Sequence, residues 1–306
     1  MNLKGGPFWS AFFLVLITDK YWMDFVKFIL ISCLIWLASC SGPAINRHPA
    51  NQELHVVFDL DWTLVSPVEN AITGKKIIQV GEESYRLHNG AVELLEKLFK
   101  TPGLKVSFFS GGPRERNIEL LSKMELFNGN SNAHEMAYKV LSREDLTRLE
   151  NIPESARFSE KYKKDLTKIS SNLENIVMIE DNPYFALNPE HSKSFLHLGE
   201  TYKYFESYEE AQSAIKKLKN PTKVELSYYP KNWISWKVNY DRLQLIQHSI
   251  EEVLNGKNGN LSFRTGLIGK WSQTGLNLRK PNWTLIMNTF DKSVQCEDLL
   301  KGVLSL

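Results

Sequence analysis

Short apolar segments alternate with segments of helical periodicity between residues 53 and 218, and this alternation constrains the fold more than any other feature of the sequence. The apolar segments have the composition of buried strands and are Leu54 to Phe58, Val106 to Phe109, Ile176 to Ile179 and Phe195 to Leu198. Between them, apolar residues recur at helical spacing. The pattern predicts an α/β fold with a doubly wound, mostly parallel sheet. Because ligands bind beyond the carboxyl ends of the strands in such sheets, functional residues should follow the strands.

Composition narrows the class of protein further. The chain has 306 residues, of which 42% are hydrophobic, so it can bury a substantial core. Its 37 basic and 35 acidic residues leave a net charge of +2, which excludes a nucleic-acid binder that relies on charge alone. No nucleic-acid partner is therefore indicated. Three cysteines are too few for a disulfide scaffold.

The N-terminal segment has the pattern of a targeting signal. The apolar stretch from Phe25 to Leu37 has the length of a signal-peptide core and is shorter than the roughly 20 residues that span a bilayer. It ends in Leu37-Ala38-Ser39-Cys40, which resembles a bacterial lipobox, in which the cysteine is lipidated. The alternative is an ordinary signal peptide or membrane anchor in which Cys40 is incidental. Either Met1 or Met23 is the start of the signal.

This resemblance implies an arrangement for the first 52 residues. Residues 1–39 would be a signal peptide of the lipoprotein type, and Cys40 would be the lipidation site. Residues 40–52, which are polar and contain proline, would be a tether. We therefore expect a protein of the bacterial cell envelope whose membrane partner is reached through a lipid anchor.

Two further segments complete the predicted organisation. The stretch from Ile72 to Leu87 has two alternating halves around Gly81, which predicts a hairpin flap in place of a large cap. After Pro221 the pattern changes to helices, with one apolar stripe from Leu243 to Val253. We assign residues 53–220 to the α/β domain and residues 221–306 to a helical C-terminal appendage.

A pair of carboxylates follows the first predicted strand, in the string Asp59-Leu60-Asp61-Trp62-Thr63-Leu64. Two negative charges at the end of a buried strand are costly without a cation or a proton between them. An Asx turn at the strand end is the alternative, but it would explain only one of the two aspartates. The string therefore favours a binding site for a cation or a reacting group.

Three other segments, at strand ends or in loops, carry residues that could bind an anion or a divalent cation. Ser110-Gly111-Gly112 follows the second main strand, and its glycines allow backbone N–H groups to approach an anion, although such a segment can also be a plain turn. Lys163-Lys164-Asp165-Leu166 supplies a lysine, unless it is only a solvated helix face. Glu180-Asp181-Asn182-Pro183 follows a third strand and suits a hard divalent cation.

These four segments, in this order, resemble the four motifs of haloacid dehalogenase (HAD) superfamily phosphatases, the first of which is Asp-x-Asp-x-Thr. A narrower resemblance, over residues 53–200, is to the RNA-polymerase C-terminal-domain small phosphatases, also called NLI-interacting-factor-like phosphatases. It rests on Lys164-Asp165-Leu166-Thr167 and on Asp181-Asn182-Pro183 after a hydrophobic strand. The sequence departs from that family at Trp62, at Ser110-Gly111-Gly112, and in lacking the serine of Asp-Asn-Ser-Pro.

The resemblance implies phosphomonoester hydrolysis through an aspartyl-phosphate, with Mg²⁺ as cofactor. Asp59 would be the nucleophile, and Asp61 would be the general acid and then the general base. The metal would be held by Asp59, by the backbone carbonyl of Asp61, and by either Asp181 or Asn182. These two alternatives depend on which family frame the fourth motif follows.

The resemblance also assigns the phosphate-binding residues, which are Ser110, Gly111 and Lys164. Arg114, Arg116 and Asn117 could reach a second anionic group of the substrate, or they could only cap or line the first turn of a helix. The substrate is expected to be a phosphorylated molecule whose identity the motifs do not specify. The alternative function is a catalytically inactive envelope lipoprotein that keeps the HAD fold and serves as an interaction module.

Overall fold

The computed structural model describes residues 53–68, 76–199, 201–256 and 261–276. The predicted signal peptide, tether and lipidation site at Cys40 lie outside these ranges, as does the end of the predicted appendage. Within the described part of the chain, no helix combines the length and the apolar character needed to cross a bilayer.

The described residues form twelve strands and nine α-helices. The strands are β1 Leu54–Phe58, β2 Val65–Val68, β3 Ile77–Val80, β4 Glu83–Leu87, β5 Leu104–Phe109, β6 Glu125–Leu126, β7 Ser131–Asn132, β8 Lys139–Leu141, β9 Thr147–Arg148, β10 Tyr162–Lys163, β11 Ile176–Glu180 and β12 Phe195–His197. The helices are α1 Ala91–Phe99, α2 Arg114–Ser122, α3 Ala133–Met136, α4 Phe158–Lys161, α5 Pro189–Ser192, α6 Tyr208–Lys217, α7 Lys223–Ser227, α8 Trp233–Leu254 and α9 Phe263–Gln273.

A parallel five-stranded sheet organises the molecule, with the strand order β12-β11-β1-β5-β8. Phe58 at the end of β1 is paired with Ile179 of β11 on one side and with Phe108 of β5 on the other. The carboxyl ends of these three neighbouring strands therefore lie level with one another. The predicted α/β class and all four predicted strands are confirmed, and β8 is an additional edge strand.

Side chains of β1 alternate between two hydrophobic clusters, as the two-residue period of a strand requires. Val56 and Phe58 belong to the larger cluster, whereas Val57 belongs to a smaller one on the other face of the sheet. Burial on both faces explains why the strands are almost entirely apolar in sequence.

The C-terminal helices pack into the larger of these clusters. The stripe from Leu243 to Val253 on α8 is buried as predicted, and α8 contacts α1. Phe263, Leu267 and Trp271 of α9 join the same cluster, and α9 contacts β11. Helices α8 and α9 therefore share the hydrophobic core of the α/β sheet.

The predicted hairpin around Gly81 is confirmed for the residues that the structure describes. β3 and β4 are antiparallel and are joined at Gly81, which has a φ of 56° that glycine adopts without steric cost. β2 pairs with the other edge of β4, so the flap is a three-stranded sheet. Residues 72–75, which begin the predicted flap, lie outside the described residues.

Candidate active site

Asp59 and Ser110 begin the loops that follow two neighbouring strands of the parallel sheet. Asp59 directly follows β1, and its N–H donates to the carbonyl of Ile179 at 3.0 Å. Ser110 follows β5, and its N–H donates to the carbonyl of Leu141 at 3.1 Å. Both residues are buried, with 5% and 1% of their surface exposed. The sheet thus brings residues 51 positions apart in sequence to one edge.

Lys164 lies fully buried between two carboxylates. Its Nζ donates to Oδ1 of Asp59 at 2.8 Å and to Oε2 of Glu180 at 2.5 Å. Its backbone N–H donates to the carbonyl of Phe185 at 2.7 Å, and this bond fixes the backbone from which the side chain extends. Of the two lysines in the predicted motif, the structure thus places Lys164 in the site.

The buried charges of this cluster perturb one another. Burial raises the pKa of Asp59 to about 8, although the charge of Lys164 opposes the rise. Burial likewise raises the pKa of Glu180 to about 8 against the same ammonium group. Burial lowers the pKa of Lys164, but the charges of Asp59 and Glu180 outweigh that effect and raise it. The lysine therefore stays protonated while the two carboxylates compete for its charge.

Three carboxylates lie close enough to share a metal ion. Asp59, Glu180 and Asp181 each offer one oxygen, and these oxygens lie within 4.8 Å of one another. Burial, followed by the charge of Asp59, raises the pKa of Asp181 to about 6. An all-oxygen, negatively charged donor set is what Mg²⁺ prefers, so these residues fit the predicted ion. Glu180 is the least available of the three, because Lys164 and the N–H of Asn182 bind its two oxygens.

The structure places the two alternative metal ligands, Asp181 and Asn182, in different environments. The carboxylate of Asp181 belongs to the acidic cluster. Oδ1 of Asn182 instead accepts from the N–H of Tyr184 at 3.1 Å and caps the following turn. Metal binding by Asp181 remains a prediction, but the geometry favours Asp181 over Asn182.

Asp61 has a different environment from Asp59. Its side chain is 34% exposed, and its Oδ1 accepts from Nη2 of Arg116. The hydroxyl of Ser110 donates to its Oδ2 at 3.3 Å. The two aspartates of the motif therefore have different partners: Asp59 pairs with buried Lys164, and Asp61 pairs with Arg116 at the solvent boundary. Neither alternative proposed for Arg116 anticipated this pairing.

Arg116 also connects Asp61 to the flap. Its Nε donates to the hydroxyl of Tyr85 on β4 at 3.1 Å, and its guanidinium carbon lies 4.4 Å from the centroid of the Tyr85 ring. Burial opposes the charge of Arg116, but the carboxylate of Asp61 outweighs it and raises the pKa of the guanidinium. The flap thus reaches the second aspartate of the motif through one cation.

The turn after Ser110 is packed too tightly for larger residues. The N–H of Gly112 donates to the hydroxyl of Ser110 at 3.2 Å. A Cβ on Gly112 would lie 2.7 Å from Oδ1 of Asn117, and one on Gly111 would lie 3.2 Å from the ring of Phe158. A larger residue at Gly112 therefore requires Asn117 to move, whereas one at Gly111 requires only a small shift of the Phe158 ring.

Sequence reasoning missed the part that α8 plays at this site. Arg242 on α8 is only 2% exposed, and its Nη2 donates to the carbonyl of Trp62, inside the Asp-x-Asp string. A signal was present, because Asn239 and Arg242 extend the buried face that Leu243 and Ile246 predict, and polar residues on such a face need partners.

Comparison with known proteins gives one family match. Residues 54–195 match the family model of the NLI interacting factor-like phosphatases. No curated protein matches the chain.

The solved structures that are similar to the chain include two of Fcp1. One is Fcp1, described as an essential RNA polymerase II CTD phosphatase, with 13% identity, a TM-score of 0.36, and coverage of 71% of this chain and 69% of that chain. The other is a fission yeast Fcp1 variant bound to beryllium fluoride, with 12% identity, a TM-score of 0.33, and coverage of 78% of this chain and 67% of that chain.

Proposed function

From the premise that residues 54–195 form an NLI interacting factor-like, HAD-type phosphatase domain, we propose that the chain is a Mg²⁺-dependent phosphomonoester hydrolase that forms an aspartyl-phosphate. The observation that carries the proposal is the buried cluster of Asp59, Lys164, Glu180 and Asp181 at the carboxyl edge of the sheet. This cluster combines a nucleophile, a fixed cation and a set of metal ligands in one place.

Asp59 is the proposed nucleophile. Lys164 donates a hydrogen bond to Oδ1 of Asp59. No hydrogen bond among the described residues involves Oδ2 of Asp59, so Oδ2 is available to attack phosphorus. The attack forms the bond from Oδ2 to phosphorus and breaks the bond from phosphorus to the leaving oxygen. Lys164 opposes the effect of burial on the pKa of Asp59, which favours the anionic form, and it holds Asp59 in place as the substrate dianion approaches.

Asp61 is the proposed general acid and base. It gives a proton to the leaving oxygen in the first step, and in the second step it takes a proton from the water that displaces Asp59 from phosphorus. Arg116 donates to Oδ1 of Asp61, so one oxygen of this carboxylate is engaged before substrate binds. We expect the substrate phosphate to compete for Arg116, because guanidinium groups bind phosphate strongly, and so to free Asp61 to carry the proton.

The phosphate oxygens are held by the turn after β5 and by the buried lysine. Ser110 and Gly111 follow β5 at the sheet edge where Asp59 follows β1, and Lys164 contributes a compact positive charge. When bound by Asp59 and Asp181, with the carbonyl of Asp61 as a further expected ligand, Mg²⁺ supplies charge that offsets the repulsion between carboxylate and phosphate.

Hydrolysis of p-nitrophenyl phosphate by the full chain tests this function. We expect Mg²⁺-dependent turnover, and we expect Asp59→Asn to lower kcat by at least about 10³-fold because it removes the nucleophile. Asp165→Asn is the matched control, since Asp165 caps a turn by accepting from the N–H of Thr167 at 3.0 Å, and asparagine caps equally well. Equal rates for the wild type, with and without chelator, and for Asp59→Asn would favour the inactive interaction module instead.

The location of the protein is a separate part of the proposal. We propose that lipidation of Cys40 tethers the phosphatase domain to the bacterial envelope, where it meets phosphorylated molecules outside the cytoplasm. The support is the string Leu37-Ala38-Ser39-Cys40 after an apolar core. In cells fed a labelled fatty acid, Cys40→Ala should abolish labelling, and Cys33→Ala should not. Labelling that survives Cys40→Ala would contradict the tether.

A further inference from the structure

The backbone at Trp62 adopts a conformation that needs support. Trp62 has a φ of 62°, in the left-handed region, which costs a residue with a side chain about 1–2 kcal/mol. Its N–H donates to the carbonyl of Val65 at 2.7 Å, which closes a tight turn immediately after Asp61. Its carbonyl accepts from Nη2 of Arg242. Without the second bond, this carbonyl would lose its partner, and the strained residue could relax.

Burial of the charged Arg242 side chain costs free energy. Besides Trp62, its guanidinium reaches Oδ1 of Asn239 at 3.1 Å, and its Nε has no hydrogen-bond partner in the described part of the chain. Burial lowers the pKa of Arg242 to about 10, so it remains charged at neutral pH. None of the described carboxylates forms an ion pair with it within 4.0 Å. Asp181 opposes the effect of burial on the pKa of Arg242 without forming such a pair. A buried cation that lacks a close carboxylate is costly to keep, which points to a role other than stability.

A second buried side chain supports the same loop. Nδ1 of His88 lies 2.9 Å from the carbonyl of Thr63 and 3.0 Å from Nη2 of Arg242. Its Nε2 lies 2.7 Å from the hydroxyl of Ser66. Burial, followed by the charge of Arg242, lowers the pKa of His88 well below its usual value, so the imidazole is neutral. With its proton on Nδ1, His88 donates to the carbonyl of Thr63 and accepts at Nε2 from the hydroxyl of Ser66. Two consecutive carbonyls of the catalytic loop, those of Trp62 and Thr63, thus accept from buried side chains.

We infer that Arg242 is a positioning residue for phosphoryl transfer, holding the carbonyl of Trp62 so that Asp59 and Asp61 face the same phosphate. The inference rests on the proposed function. Arg242 belongs to α8, which lies after residues 54–195, so a helix outside the matched domain would complete its catalytic loop. Loss of the contact would let the turn relax and misplace Asp61, and a displacement of about 1 Å in such a site can lower turnover about 10²-fold.

Variants of two buried arginines separate positioning from stability. Arg264 on α9 is 5% exposed, like Arg242, but it is paired with Glu174 and Glu190. We compare Arg242→Lys and Arg242→Met with Arg264→Lys and Arg264→Met in the full chain. Each pair removes the same planar donor group from a buried place, so a loss of kcat confined to the Arg242 variants cannot come from the loss of a buried arginine alone.

Kinetics with p-nitrophenyl phosphate provide the first measurement. We expect Arg242→Met to lower kcat by about 10–100-fold with KM changed less than about threefold, because the substrate phosphate does not contact Arg242. Arg242→Lys should lose less, since it keeps a charge and one donor, and the Arg264 variants should keep kcat within about twofold. A kcat unchanged by Arg242→Lys and Arg242→Met, or lowered equally by the Arg264 variants, would overturn the inference.

Hydrogen exchange provides a second measurement that needs neither turnover nor the methionine variant. Arg242→Lys should speed amide exchange in the peptide that covers residues 60–65, and Arg264→Lys should leave that peptide unchanged. Exchange that stays slow in Arg242→Lys would overturn the inference. A wild-type chain without activity would refute the proposed function, whereas an active chain whose Arg242 variants keep their kcat would refute only the positioning role.

A third comparison tests the role of Trp62 itself. Glycine adopts a φ of 62° without strain, so in the Trp62→Gly background the loop has less reason to relax when Arg242 is replaced. Arg242→Lys should therefore lower kcat by a smaller factor in that background than in the wild type. An equal or larger factor would contradict positioning through the Trp62 carbonyl.

Discussion

Replacement of Lys164 by methionine tests the charge balance on which the proposed site depends. Lys164 is fully buried and is the ammonium group that lies within 2.8 Å of Asp59 and within 2.5 Å of Glu180. Methionine matches the length of its aliphatic part but removes the charge. Two buried carboxylates would then compete for protons with no opposing charge between them. The variant should therefore lose both stability and activity.

The expected loss follows from the burial of the partners. Removal of one member of a buried ion pair costs about 3–5 kcal/mol, because the charge that remains is neither solvated nor paired. For a domain of this size, each kcal/mol shifts the melting temperature by about 2–4 °C, so we expect a fall of roughly 6–20 °C. Turnover should fall at least about 10²-fold, because Asp59 also loses the group that holds it and the phosphate.

The adjacent lysine offers a matched control. Lys163 is partly exposed, and its Nζ donates to the carbonyls of Ser159 at 2.9 Å and Tyr184 at 2.6 Å. Neither acceptor carries a charge, so Lys163→Met should change the unfolding free energy by about 0.5 kcal/mol or less. The same chemical change at neighbouring positions thus separates a role in the site from a general effect of losing a lysine.

Thermal unfolding by circular dichroism, together with hydrolysis of p-nitrophenyl phosphate, measures both consequences. If the charge argument is right, Glu180→Gln in the Lys164→Met background should restore part of the lost stability, since it removes one of the two unpaired carboxylates. Equal melting temperatures for Lys163→Met and Lys164→Met, or no recovery in the double variant, would refute the reasoning.

Two further predictions concern the acidic cluster and the phosphate-binding turn. In the presence of chelator, the melting temperature should fall as the pH rises from about 5 to about 8. The reason is that the pKa values of Asp59 and Glu180 are raised to about 8 in the folded protein. A carboxyl group with a raised pKa favours the folded state only while it keeps its proton. Millimolar Mg²⁺ should reduce this fall, and a melting temperature that rises over the same range would contradict the pKa assignments. Gly112→Ala should cost about 1–3 kcal/mol of stability and most of the activity, because its Cβ would meet Asn117. Gly269→Ala is the control and should be neutral or stabilising, because Gly269 lies in an exposed part of α9 with no atom near the new Cβ. Equal chemical denaturation curves for the two variants would contradict the steric argument.

The local sequence predicts the sheet and the order of the motifs well. Strands buried on both faces are almost entirely apolar, so the segments from Leu54 to Phe58 and from Ile176 to Ile179 stand out without any knowledge of their partners. The polar residues that end these strands stand out for the same reason. Parallel pairing then brings Asp59 and Asp181 to one edge, which a pattern of alternating strands and helices already implies.

Pairings between distant residues were beyond sequence reasoning. The family resemblance assigned Lys164 to the site, but residue chemistry alone does not distinguish it from the adjacent Lys163. The fold directs Lys164 to Asp59 and Lys163 to main-chain carbonyls. Arg116 was expected to face the substrate or a helix end, and the structure pairs it with Asp61 because α2 starts beside the first loop.

The chain by itself therefore determined the class of fold, the order of the strand-end motifs and the resemblance to a phosphatase family, because these depend on short segments whose burial pattern and residue types are local. Only the tertiary structure decided which charges pair, that Asp181 joins the acidic cluster while the side chain of Asn182 caps a turn, and that Arg242 from α8 binds the loop after Asp59. Such contacts join residues up to 180 positions apart, and their geometry depends on how helices pack on the sheet and not on any local pattern.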